Sequence, residues 1–319
     1  MKKKKLLEKK FFFLFFLIGY FLLFGHISPT FCGEEYSTIF KGHFGPGESD
    51  VGIKFLTPDI LPETPFCGPG GFFPDKEERI WISDSIQKKL KAFSASESFS
   101  IEIPAKKLGD LCIKNGQVFL CTKDPDCIMI IDIQSKKVKR TIPLNYNTPR
   151  RILVVDENHL AVEETDGNCW IIFNGIPELH PAQVIEAVGN TEKLFGISNT
   201  FENDSRNIVY CGWEKEKNDP EIFSHLKLPE NRIVFSKVMG YSETNESLMV
   251  GCVLASQPNS LSVISFDSNG AQKELGSLPL QESIYLPSQW VFANGNSFYG
   301  LSATATEFKI IKKKMKFQK

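Results

Sequence analysis

Six short apolar runs, each led by a polar, turn-rich cluster, recur along most of this chain. Ile80-Trp81-Ile82 follows Asp75–Arg79, and Val118-Phe119-Leu120 follows Lys114–Gln117. Leu160-Ala161-Val162 follows Asp156–His159, and Ile208-Val209-Tyr210 follows Asn203–Asn207. Leu248-Met249-Val250 follows Ser242–Ser247, and Phe298-Tyr299 follows Ala293–Ser297. The runs begin between 38 and 50 residues apart. Turn residues between β-rich runs are hairpin signals. A supersecondary unit of this size buries its apolar faces only against its neighbours, so the period constrains the whole architecture.

Each turn also has a β-rich run before it: Gly71–Phe73, Leu111–Ile113, Ile152–Val155, Leu194–Ile197, Val238-Met239 and Trp290–Phe292. A third run follows: Leu90–Phe93, Ile128–Ile131, Trp170–Phe173, Ile222-Phe223, Leu261–Phe266 and Phe308–Ile311. A fourth often ends in an apolar-Pro step: Ile103-Pro104, Ile142-Pro143, Leu228-Pro229 and Leu278-Pro279. Proline is tolerated where no ladder donor is needed, as on an outermost strand. Four strands per period of 40 to 50 residues is one β-propeller blade. The expectation is all-β, a six-bladed β-propeller of four-stranded antiparallel blades. Only Ser85–Leu90 and Pro181–Val188 look faintly helical, which disfavours a two-helix repeat. The sixth blade finds three local strands, and an open edge invites association. Val51–Leu56 is expected to close the ring as an N-terminal strand beside Phe308–Ile311.

Of the 319 residues, 24% are charged and 42% hydrophobic, a globular composition that excludes a disordered chain. The net charge of -1 is unevenly laid out. Six lysines precede residue 11 and six more fill the last eleven residues, so Gly33–Phe308 carries 25 basic against 37 acidic side chains. A body that acidic argues against nucleic acid as a partner.

The first lysines abut Phe11 to Phe24 (FFFLFFLIGYFLLF), which has no charge, and polar residues follow. This is the layout of an export signal. Fourteen residues span ~21 Å, short of a ~30 Å hydrocarbon core. Thr30 and Cys32 place cleavage before Gly33. The alternatives are retention of the segment as a membrane anchor, or lipidation of Cys32, against which Thr30-Phe31 departs from the usual small residues. An exported chain gives its cysteines meaning. Cys121, Cys211 and Cys252 end similar apolar runs and read as buried thiols. Cys121 and Cys127 could form a disulfide across a tight hairpin.

Gly68 to Phe93 resembles an NHL repeat. That family's pattern has a Pro-x-Gly opening, an Asp-led turn, an aromatic-aliphatic strand ending in small-Asp, then a basic residue before an aliphatic-x-x-Phe strand. Pro69, Gly71, Asp75, Trp81, Ser83, Asp84, Lys89, Leu90 and Phe93 occupy those places. The turn glycine is missing at Glu77-Glu78, and Gln87 stands where the family has Asn. The other five units rest on periodicity. The resemblance implies an NHL-like propeller used as a binding platform, with lyases and lactonases on similar scaffolds.

Sites of chemistry are sparse. His26 lies in the signal, and His43, His159, His180 and His225 form neither HxH nor HExxH. His159 is the candidate for lyase-like chemistry; Glu163, Asn203 and Asp204 are candidates for an axial calcium ion. Asp84 reads as a turn-fixing carboxylate. Trp81, Trp170, Trp213 and Trp290 read as core, with stacking on a ligand as the alternative. Asn203 and Asn245 head glycosylation sequons in turns. No nucleophile or phosphate-loop signature occurs, so no catalytic residue, cofactor or metal ligand is assigned.

The domain reading is a signal peptide or anchor over 1–32, a lead-in over 33–50, the propeller over 51–311 and a basic C-terminal tail over 312–319. The functional expectation is an extracytoplasmic, non-catalytic binding or scaffold module for a protein or small ligand. Its alternative is a lactonase-, lyase- or quinoprotein-like enzyme using the axial funnel. Membrane association could come through Phe11 to Phe24 or the Lys-rich tail.

Overall fold

Val118, Leu120, Met129 and Ile131 pack on Trp81, Leu90 and Ile103. Their chain neighbours Phe119, Cys121, Ile128 and Ile130 pack the other way, on Ile152, Leu160 and Val162. One sheet is thus buried on both faces, which is why its strands read as continuous apolar runs rather than as alternation. Sheets covered on both faces must be stacked side by side.

The computed structural model describes residues 36–52, 54–55, 66–94, 97–144, 149–154, 159–164, 169–173, 176–179, 186–189, 193–202, 205–214, 221–226, 233–242, 244–267, 269–280, 290–294, 297–304 and 306–314. The chain divides into Met1–Tyr36 and Ser37–Lys319, and all described residues but Tyr36 lie in the second unit. Among them there is no helix. Phe11 to Phe24, and with it the predicted signal or anchor helix, lies outside the described residues.

Among the described residues, six four-stranded sheets follow one another in chain order. The first holds Gly71–Pro74, Ile80–Asp84, Lys89–Phe93 and Ser98–Glu102; the second Lys107–Lys114, Gln117–Lys123, Cys127–Asp132 and Lys137–Pro143. The third holds Pro149–Val154, His159–Glu164, Cys169–Phe173 and Ile176–Leu179; the fourth Glu186–Gly189, Lys193–Glu202, Ser205–Glu214 and Glu221–Leu226. The fifth holds Ile233–Ser242, Ser247–Leu254, Gln257–Phe266 and Gln272–Pro279. The sixth joins Trp290–Ala293, Ser297–Ala303 and Glu307–Lys314 to Tyr36–His43, which is its outermost strand. The first strands of successive sheets pack in chain order, and Ser297–Ala303 packs back on Gly71–Pro74. The arrangement is all-β and propeller-like.

Local chemistry sets the turns. The Asp75 carboxylate accepts the backbone N–H groups of Glu77 (3.0 Å) and Arg79 (2.9 Å), the Arg79 guanidinium (2.6 Å) and the Trp81 indole N–H (3.0 Å). Asp84 accepts the N–H groups of Ile86 (3.1 Å) and Gln87 (2.9 Å), as a turn-fixing carboxylate should. Ser85–Leu90 is therefore a turn entering a strand, and Lys88, at φ 58°, breaks the faint helical signal.

Two further expectations need correction. The strand that completes the sixth sheet is Tyr36–His43, in the stretch read as lead-in, and not Val51–Leu56. Val51 instead bridges Phe44, and Lys54–Phe55 pairs with Phe66–Cys67. Aromatic packing decides between the candidates: Phe40 sits 5.1 Å from Phe93 and 5.9 Å from Phe308, and Phe44 sits 5.1 Å from Phe308, ring centre to ring centre. The second correction is in the fourth sheet. Leu194–Ile197, expected as a first strand, lies in the second, because Glu186–Gly189 precedes it. Ala187 and Val188, read as faintly helical, pair with Gly196 and Phe195, so sheet pairing overrides local propensity. The runs at Ile208 and Ile222 move one strand outward accordingly.

The third strand of the sixth sheet runs on through Lys314. Lys313 is buried and donates to the Ser277 carbonyl at 2.9 Å, and Lys312 pairs with Glu78 over the Tyr299 ring. The first lysines of the basic tail are thus structural.

Candidate functional site

The first strands of the second, third and fifth sheets each carry a charge one residue ahead of the apolar run. Asp110 precedes Leu111, Arg151 precedes Ile152 and Lys237 precedes Val238. Backbone irregularities sit at these places: the register slips between Leu108 and Leu111, between Pro149 and Arg151, and between Val238 and Gly240. Such slips re-aim side chains away from the regular pleat. All three charged groups are buried, at 2%, 4% and 6% exposure.

Asp110 and Arg151 line a cavity of about 1180 Å³ walled by the first strands of the first, second, third, fifth and sixth sheets. Phe73, Ile113, Leu153, Met239 and Phe292 supply apolar wall, and five acidic and five basic side chains line it in all. Arg151 donates from Nη2 to the Val238 carbonyl, reaching from the third sheet to the fifth. Asp110 accepts the Ile152 N–H at 3.2 Å through Oδ2, while Oδ1 has no hydrogen-bond partner. A Cβ on Gly71 would fall 2.5 Å from that Oδ1, so a side chain there would displace the carboxyl.

Burial pushes the Asp110 carboxyl up to about 7, and the Arg151 charge, the Ile152 and Leu111 N–H groups and the Lys237 charge pull against that rise. Desolvation wins because the charged form loses its water. Cys112, also on the cavity wall, is pushed up to about 12, first by burial and then by the Asp110 charge.

Most residues singled out in the sequence lie elsewhere. Asp84 fixes its turn in the first sheet. His43 is exposed, 3.8 Å from Glu307. Trp81 and Trp290 are core residues at 0% and 1% exposure. Cys112, Cys121, Cys127 and Cys252 are free thiols. Cys121 faces the third sheet and Cys127 the first, which keeps the suggested disulfide from forming. Asn245 lies in an exposed turn. Asn203, Asp204 and His180 lie outside the described residues, as do the side chains of His159, Glu163, Trp170, Trp213 and His225. Among the described residues no three His, Cys, Asp or Glu side chains gather as a metal site requires.

Asp110, Arg151 and Lys237 were missed by motif reading. The available signal was positional: they stand 41 and 86 residues apart, about one and two periods, at the same place in the unit.

No family model matches the chain, and no curated protein does. Among solved structures it is similar to selenomethionine-substituted virginiamycin B lyase from Staphylococcus aureus, at 11% identity over 81% of this chain and 98% of that one, with a TM-score of 0.46. It is similar to Kuenenia stuttgartiensis hydrazine synthase at 12% identity over 72% of each chain, TM-score 0.47. It is similar to a luciferin-regenerating enzyme at 10% identity over 76% of this chain and 90% of that one, TM-score 0.47. Likeness this distant carries no argument about function. What the strands define by themselves is an all-β, propeller-like protein with a charged cavity on its first strands.

Proposed function

We propose that this chain is an exported, NHL-like propeller of six blades, closed by its N-terminal strand, that binds a ligand non-catalytically in its axial cavity. Six four-stranded sheets packed in chain order support the blade count. The cationic start and Phe11 to Phe24 support export, with the segment cleaved or kept as an anchor. The observation that carries the binding reading is the placing of Asp110 and Arg151, from two different sheets, on the wall of a cavity of about 1180 Å³, with the Lys237 charge acting on Asp110 from a third. Small-ligand sites are concave, largely apolar and furnished with a few placed polar groups. A flat scaffold has no use for buried charge, which is costly to desolvate.

The test is a thermal-shift screen of small ligands on the full chain and on a Leu153→Trp variant, which fills the cavity from its wall. A ligand that raises the melting temperature of the parent and not of the variant supports the reading. A ligand that protects both equally, or captured partners that bind both equally, would move the binding surface off the axis.

A second reading, an enzyme of lyase or lactonase type, is favoured by the Asp110 carboxyl alone, since a group titrating near 7 suits acid–base work. Turnover of a ligand found in the screen, lost in Asp110→Asn, would select it.

A further inference from the structure

Resting on the reading of the axial cavity as a binding site, we infer that its ligand is a short extended peptide with apolar side chains and charges of both signs. It would lie in a groove that runs from the axis to the rim between the first and second sheets. The floor of that groove is a straight apolar seam. In the first sheet Phe73 pairs with Trp81, Trp81 with Ala92 and Ala92 with Phe99, so one row crosses all four strands. Ile113, Val118, Ile131 and Val138 make the matching row in the second. Directly paired residues share one face of a sheet. Trp81 and Ala92 meet Val118 and Ile131 in one cluster, with Phe73, Phe99 and Ile113 packed against it. Three strand spacings, ~14 Å, separate Phe73 from Phe99.

This floor is open to a ligand. Phe73, Phe99, Ile113 and Ile133 are half-buried, and all four line the cavity. Val138, where the second row ends, is 45% exposed. The banks are turns. Arg79 and Glu97 stand on the two turns of the first sheet that join its first strand to its second and its third to its fourth, and Asn115 and Lys136 stand on the same two turns of the second. In an up-and-down sheet those turns lie at one end, so the banks run beside the seam from axis to rim. Lys136 reaches over the Phe99 ring, 4.1 Å from its centre, at the outer end.

Shape and charge decide the ligand. The cavity, about 1180 Å³, exceeds the ~300–1,000 Å³ of a pocket for a compact small molecule. About four residues of extended chain, at ~3.3 Å each, span the seam, and alternate side chains would face it. Five acidic and five basic residues are among the described lining, and each bank carries both signs. A polyanion would meet the acids. A neutral saccharide would cover charges of both signs and answer none of them. A peptide brings carboxylate and ammonium groups together, and the amides of Asn115 and Gln134 offer its backbone both donor and acceptor.

The experiment is an array of pentapeptides probed with the full chain. Their first and last residues are Lys or Glu, the middle three are drawn from Phe, Leu, Ala and Gly, and maltopentaose is the competitor. The strongest peptide is then titrated by calorimetry into the parent, Leu153→Trp, which fills the axial end, and Ile133→Asp, which charges the outer end. The expected result is a peptide with Lys at one end, Glu at the other and apolar residues between, about tenfold weaker in both variants. Loss in Leu153→Trp alone, or maltopentaose binding with every peptide inert, overturns the extended peptide and leaves the cavity reading standing. Loss in Ile133→Asp alone overturns the reach to the axis. No binder, or a binder indifferent to both variants, overturns the peptide and the cavity reading together. If Ile133→Asp does not fold, Lys136→Glu on its exposed turn replaces it: an about threefold loss is expected, and unchanged affinity overturns the outer end of the groove.

Discussion

Lys91 Nζ lies 3.3 Å from Asp84 Oδ2, with both side chains out of solvent at 1% and 0% exposure. The same Oδ2 accepts the Gly52 N–H at 2.7 Å, and Lys91 donates to the Asp50 carbonyl and, at 2.9 Å, to Gln87 Oε1. Gln87 in turn donates to the carbonyls of Gly45 (3.1 Å) and Gly47 (3.2 Å). A pair buried in the first sheet therefore clasps the loop that follows the closing strand of the sixth.

Lys91→Met should destabilise the full chain by about 3–5 kcal/mol in denaturant unfolding, since removing one partner leaves a buried charge behind. The loop over 45–52 should also become a site of early proteolytic cleavage. Unchanged stability would mean that the amide donors alone hold Asp84.

Deleting Tyr36–His43 should strip the outer strand from Glu307–Lys314 and expose an unpaired edge. The melting temperature should fall, amides of Glu307–Lys314 should exchange faster, and light scattering should report association. Phe308→Ala, at the centre of the same aromatic cluster, should cost about 3–5 kcal/mol. A monomeric, equally stable deletion would break the closure.

Asp110 makes stability depend on pH with a definite sign. Its folded value, about 7, stands above the ordinary 3.8, so the folded state holds a proton that the unfolded state has lost. Its contribution is complete below about pH 4 and is lost as pH rises through about 7, by about 4 kcal/mol at most. Asp110→Asn should remove this slope, so that the variant gains on the parent between pH 5 and pH 8 in paired urea melts. Parallel profiles would place the carboxyl in a wetter setting than the cavity wall.

The thiols should be inert in the native protein. Cys112 and Cys252 are pushed up to about 12 by burial, and Cys121 well above the usual range. At pH 8 only about one in ten thousand such groups is thiolate. Iodoacetamide followed by mass spectrometry should leave all three unmodified until urea is added. Cys127, where the Thr122 hydroxyl opposes the effect of burial, should be the first to react.

How much was readable depended on whether a feature was local. Hairpins are local, so the turn clusters and the runs around Ile80, Val118, Leu248 and Phe298 declared themselves, and so did the period that groups them in fours. The carboxylate turns at Asp75 and Asp84 were equally plain, because a side chain two to four residues from the amides it accepts is visible in the chain itself. The short inner strand Glu186–Gly189 was not, because its four residues become a strand only by pairing with Lys193–Glu202.

Closure and the cavity belonged to tertiary structure. Tyr36–His43 and Val51–Leu56 are both plausible edge strands for the sixth sheet, and that sheet's third strand lies more than 250 residues from either. What separates them is where Phe40 and Phe44 meet Phe93 and Phe308. Asp110, Arg151 and Lys237 are each unremarkable as single charged residues beside an apolar run. Their chemistry exists only because the sheets stack around one axis, which strips water from all three and sets their charges against one another.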